Sequence, residues 1–108
     1  PEISKNLSTF QQQKLHAVAG IGNPQRFFNQ LVDQGLTIEN HAFADHHSFH
    51  ADDFHFADDN PIVMTEKDAV KCQEFANKNM WYIPIKATIS GKLSQKLLHT
   101  LAGLTSHG

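Results

Sequence analysis

Residues 15–24 (LHAVAGIGNP) constrain the fold more than any other stretch of the chain. A short apolar run that ends in Gly20, Gly22, Asn23 and Pro24 has the pattern of a buried strand turning directly into a helix. Asn23 supplies an N-cap oxygen, and Pro24 stands at the first helical position, where its missing N–H leaves no bond unmade. Phe27, Phe28, Leu31 and Val32 then recur at helical spacing, and Gly35 stands where a left-handed C-terminal cap is wanted.

The rest of the chain repeats the alternation. Residues 36–43 (LTIENHAF) alternate through Leu36, Ile38 and Ala42 as a second strand, and residues 51–56 (ADDFHF) suit one or two helical turns. After the loop 58–61 (DDNP), residues 62–64 (IVM) make a short third strand. Thr65 caps a helix, with Asp68 as a short capping-box acid and Ala69, Cys72, Phe75 and Ala76 as its apolar face. Residues 81–85 (WYIPI) form a fourth strand, where Pro84 argues for an edge position or an irregular end. Ser90 is placed to cap a last helix with a stripe of Leu93, Leu97, Leu101 and Leu104. Residues 1–14 read as a linker or the tail of a preceding element, and residues 15–108 as one lobe. Alternating strands and helices predict parallel pairing with right-handed crossovers. The expected fold is an open, mainly parallel three-layer α/β/α sheet in a single Rossmann-like domain. Ligand chemistry then belongs at the carboxyl ends of the strands, where residues 20–24, 45–50 and 65–68 fall.

A length of 108 residues allows one domain. Nine Lys and Arg against eleven Asp and Glu, a formal charge of −2, provide no global field for nucleic acid or anionic lipid. The single cysteine, Cys72, cannot form an internal disulfide and reads as a core residue. No run approaches the ~18 apolar residues of a membrane span. The opening Pro1, without an initiator methionine, suggests a fragment or a processed start.

Three segments are candidates for chemistry. The Gly20-Ile21-Gly22-Asn23-Pro24 turn offers backbone N–H groups to a phosphate, but on geometry alone a tight turn requiring small residues is the favoured account. It lacks the third glycine of a dinucleotide fingerprint, and no G-x-x-x-x-G-K-[ST] occurs in the chain. Asp45, His46, His47, His50 and His55 form a histidine-rich stretch beside Asp52 and Asp53, with His41 shortly before. A transition-metal site, an acid/base histidine oriented by Asp45 and a solvated loop are its three readings. One short loop rarely wraps a cation alone, so no metal ligands are assigned. In Thr65-Glu66-Lys67-Asp68, helix capping and a functional role account equally for Thr65 and the acids, while Lys67, a cation at the positive end of a helix, is a candidate for a partner or a ligand phosphate.

Taken in order, AVAGIGNPQRFF (17–28), FADHHSF (43–49), MTEKDAVKC (64–72) and WYIPI (81–85) resemble the C-terminal part of the tetraacyldisaccharide 4'-kinases, the lipid A kinases of Gram-negative bacteria, over residues 15–88. The resemblance implies an enzyme that moves the γ-phosphate of ATP to the 4'-hydroxyl of a lipid disaccharide 1-phosphate. It implies ATP and Mg2+ held mainly by a P-loop lobe of the same polypeptide, which this chain does not include. The full-length enzyme is then peripheral on the cytoplasmic face of the inner membrane, and this chain alone is expected to be soluble and inactive. The alternative is a free-standing α/β binding domain with a metal-binding histidine loop. Within the family pattern the histidine of the Asp-His element, here His46 after Asp45, acts with an aspartate of the other lobe at the transferring phosphate. Gly20, Gly22, Asn23, Thr65, Glu66, Lys67 and Asp68 fall at an expected interlobe or phosphate-proximal surface.

Overall fold

The computed structural model describes residues 4–84 and 97–101. Their order is β1 (Ser4–Asn6), β2 (Lys14–Ala19), α1 (Pro24–Asp33), β3 (Thr37–Ala42), β4 (Ile62–Thr65), α2 (Glu66–Lys71), β5 (Met80–Ile83) and β6 (Leu97–Thr100). Short 3-10 turns lie at Leu7–Phe10, Ala51–Phe54 and Gln73–Phe75. The strands form one sheet in the order β1-β6-β5-β4-β2-β3. Pairings β2–β3, β2–β4 and β4–β5 are parallel, while β6 joins β5 and β1 joins β6 in antiparallel sense. The expected mainly parallel α/β sheet is therefore what the chain forms.

Strand alternation sorts the core into two layers. Leu15, Ala17 and Ala19 of β2, Val63 of β4, and Trp81 and Ile83 of β5 face Phe27, Phe28 and Leu31 of α1. Val18, Ile62, Met64, Met80 and Tyr82 face the other way, toward Ala69, Cys72 and the aromatic segment containing Phe49, Phe54 and Phe56. Near-continuous apolar strands are the expected composition for a sheet covered on both sides.

The element boundaries follow local chemistry. Asn23 caps α1 by accepting from the Arg26 N–H at 3.4 Å, and Thr65 caps α2 by accepting from the Asp68 N–H at 3.2 Å. Gly35, at φ +86°, ends α1 in the left-handed region that an L side chain resists. The second helix stops at Lys71, short of the apolar face expected to continue it, and Phe75 sits in a separate 3-10 turn.

Three expectations change. Within residues 1–14, read as linker or tail, Ser4–Asn6 form edge strand β1, and Leu7 and Phe10 are buried in the α1-side core, where Phe10 packs edge-on against Trp81 at 5.2 Å. Of the two readings of Pro84 the end holds and the edge does not: β5 lies between β4 and β6, and the proline follows the last strand residue, where no ladder N–H is needed. The leucine stripe expected as a helix contains strand β6 at Leu97–Thr100, while Ser90, Leu93 and Leu104 lie outside the described residues. A spacing of four is ambiguous because it returns to the same side of both a helix and a strand. Pairing of Trp81 with Thr100 and Tyr82 with His99 decides for the strand.

Candidate functional site

The parallel strands end at one rim, and the three segments singled out by sequence meet there. Gly20, directly after β2, donates its N–H to Asp68 Oδ2 at 2.9 Å. The Asp68 carboxylate is fully buried; it also accepts from the Thr65 hydroxyl at 3.4 Å and pairs with Lys71 Nζ at 3.4 Å. It thus differs from the capping acid expected, because it reaches across to the β2 turn. Asp68 and the Gly20 N–H are engaged with each other in the interior.

Behind the turn, a Cβ on Gly20 would stand 3.0 Å from Phe49 Cζ and 3.4 Å from the Ala44 carbonyl oxygen. A side chain here would press on the Phe49 ring, so close packing favours glycine. A Cβ on Gly22 would stand 3.3 Å from Asp45 Oδ2, which places the Asp45 carboxylate directly over the second glycine. The next residue, His46, has φ +65° and is the one non-glycine residue in the left-handed region among those described. It occupies the third position of a turn closed by the His47 N–H donating to the Ala44 carbonyl at 3.0 Å. Its side chain is 81% exposed, with Nε2 3.8 Å from Asp45 Oδ2. A residue held in this costly conformation with its ring in solvent is aimed outward by the backbone.

A cleft of about 500 Å³ opens between the turn after β2 and the start of α2, lined by Gly22, Asn23, Thr65, Glu66 and Lys67. Arg26 and Lys67 bring positive charge to it, and Ile21, Phe27 and Val70 provide an apolar wall. Arg26 was not singled out by sequence reasoning. Its signal was its position three residues after the Asn23 cap, on the first helical turn after the glycines.

The remaining loop histidines do not converge on one point. His47 Nε2 pairs with Asp53 Oδ2 at 3.0 Å, the His50 N–H donates to the same oxygen at 2.9 Å, and exposed His55 lies 3.5 Å from Asp52. The His50 N–H, and then the His47 ring, hold the Asp53 carboxyl below its ordinary range. This segment is a carboxylate-organised turn, and the geometry does not favour the metal-loop alternative. Among the described residues, the group able to hold a metal is His16, Glu39 and His41, elsewhere on the sheet.

These features define a parallel α/β module with a cationic, half-apolar cleft at the carboxyl ends of its strands. The family model described as tetraacyldisaccharide-1-P 4'-kinase matches residues 2–102, and the chain belongs to that family. A tetraacyldisaccharide 4'-kinase of Methylobacillus flagellatus is 52% identical over 96% of this chain and 31% of its own length. That of Nitrosococcus oceani is 50% identical over 88% of the chain and 28% of its own length. That of Actinobacillus succinogenes is 45% identical over 100% of the chain and 36% of its own length. The chain therefore spans about a third of the curated relatives it matches. No solved structure matches.

Proposed function

We propose that this chain is the carboxyl-side lobe of an ATP-dependent kinase that phosphorylates the 4'-hydroxyl of a tetraacyldisaccharide 1-phosphate. The observation that carries the reading is the rim geometry. Asp45 lies over Gly22, His46 projects into solvent beside it, and the adjoining cleft combines Arg26 and Lys67 with Ile21, Phe27 and Val70. Cationic groups beside an apolar wall match an amphiphilic phosphate ester.

In this reading the acceptor oxygen bonds to the γ-phosphorus as the bond to the ADP leaving oxygen breaks, and the hydroxyl proton passes to a carboxylate of the P-loop lobe. His46 orients that carboxylate, Asp45 orients His46, and Arg26 and Lys67 offset phosphate charge. The cleft lining brings one carboxylate, Glu66, beside two cations, Arg26 and Lys67, a charge balance that suits phosphate oxygens better than a magnesium ion. ATP and magnesium belong with the P-loop lobe, the partner of this surface in the longer polypeptide. Among the described residues no helix is long and apolar enough to cross a membrane. We place membrane contact in the N-terminal part of the polypeptide, at the cytoplasmic face of the bacterial inner membrane.

The test is turnover by the whole polypeptide with its P-loop lobe, on the lipid disaccharide and ATP. His46→Ala lowers kcat by ~100-fold or more with little change in KM for ATP. Unchanged kcat would remove His46 from the transfer site, and phosphorylation catalysed by the 108-residue chain alone would overturn the two-lobe assignment.

A further inference from the structure

We propose that His16, His41 and Glu39 form a binding site for a zinc-type divalent metal on the sheet face opposite α1, separate from the cleft and independent of the kinase reading. Parallel register places Glu39 of β3 directly beside His16 of β2, and His41 follows on the same face of β3. One ligand atom from each of the three lies within 4.8 Å of the others. His16 Nδ1 is 2.9 Å from His41 Nε2, and that nitrogen is 3.5 Å from Glu39 Oε2. Ligands at ~2.0–2.1 Å from a tetrahedral zinc stand roughly 3.3–3.5 Å apart, so these two separations lie within about half an ångström of the spacing a zinc ion needs.

The surroundings of His16 resemble the second shell of a zinc histidine. Its ring is buried, and Nε2 is bonded to Asp58 Oδ1 at 2.7 Å. A carboxylate on Nε2 places the ring proton there and leaves the Nδ1 lone pair directed at the shared point. Phe56 stacks on both imidazoles, at 4.0 Å from the His16 ring and 4.3 Å from the His41 ring, fixing their planes. Glu39 presents Oε2 to the site while Oε1 pairs with Lys14 at 3.3 Å.

Without metal, the His16–His41 contact is a hydrogen bond donated by His41 Nε2 to His16 Nδ1. Metal binding replaces it with two nitrogen-to-metal bonds, and the His41 ring proton moves to Nδ1. No electron transfer is involved. Two imidazoles and one carboxylate favour zinc over magnesium or calcium. β3 is an edge strand and Glu39 is half-exposed, which leaves an entry path and a fourth position for water. A metal here would clip the sheet edge and the Phe56–Asp58 segment to β2.

The test is titration of tag-free 108-residue protein with Zn2+ by calorimetry and with Co2+ by visible absorption. One equivalent is expected to bind, with d–d bands of a nitrogen- and oxygen-ligated site and a rise in melting temperature. His41→Gln and Glu39→Gln, both at the accessible edge, lose saturable binding while keeping the wild-type circular dichroism spectrum. Asp58→Asn, which changes a positioning residue, weakens binding by ~10- to 100-fold. The triple variant His46→Gln, His47→Gln, His50→Gln retains binding. Absence of stoichiometric binding in the wild type overturns the proposal, as does binding lost in the triple variant but retained in His41→Gln and Glu39→Gln.

Discussion

The Gly20 N–H and the Asp68 carboxylate, 48 residues apart in sequence, meet at 2.9 Å in the interior. This bond joins the turn after β2 to the first turn of α2, so the two walls of the cleft are held by one buried acceptor. Asp68→Ala leaves the Gly20 donor buried and unpaired and frees Lys71 from its partner. The expected cost is ~2–3 kcal/mol, measured by urea unfolding. A loss below about 0.5 kcal/mol would show that water reaches the Gly20 N–H.

The two glycines of the turn separate by consequence. Gly20→Ala forces a methyl against Phe49 and the Ala44 carbonyl and costs ~1–3 kcal/mol through overpacking. Gly22→Ala meets only the Asp45 carboxylate, a side chain that can move. Its stability changes by less than ~0.5 kcal/mol, while turnover of the whole polypeptide falls as Asp45 shifts. Comparing melting curves with kcat for the two variants checks the split.

His46 carries a conformational cost through its φ of +65°. His46→Gly relieves it and raises stability by ~0.5–1 kcal/mol relative to His46→Ala, while both remove the ring and abolish most turnover. Equal stabilities of the two variants would indicate that the backbone there is not left-handed in solution. His47→Ala behaves differently, lowering stability through lost contact with Asp53 and its edge-on packing with Phe49.

Asp53 provides a pH signature. Its carboxyl lies below the ordinary value of 3.8, chiefly because of the His50 N–H and then His47. A depressed folded-state pKa contributes stability above the unfolded value, and that contribution is lost as pH falls through the folded one. Stability measured from pH 5 downward should therefore fall more steeply in the wild type than in Asp53→Asn. Parallel curves would mean that the pairing is absent in solution.

Cys72 should be inert in the native protein. Burial, and next the neighbouring Asp68 charge, push its thiol up to about 12. At pH 8 almost no thiolate forms, so alkylation by iodoacetamide proceeds only through unfolding. Labelling that is as fast in native buffer as in urea would place Cys72 at the surface.

Local chemistry was enough to read the strand-to-helix switch at Asn23 and Pro24, the Thr65 cap, the left-handed Gly35 and the parallel core, because each depends on residues a few positions apart. The same local reading brought Asp45, His46 and the two capped turns to one rim, since parallel strands with helical crossovers share a carboxyl end. Tertiary structure alone decided that Asp68 turns inward to Gly20, that Leu97–Thr100 is strand, that Leu7 and Phe10 enter the core, and that His16 meets His41 and Asp58. These outcomes depend on strand order and register. Both are set by which apolar faces can be buried together, and no spacing within one segment records that choice.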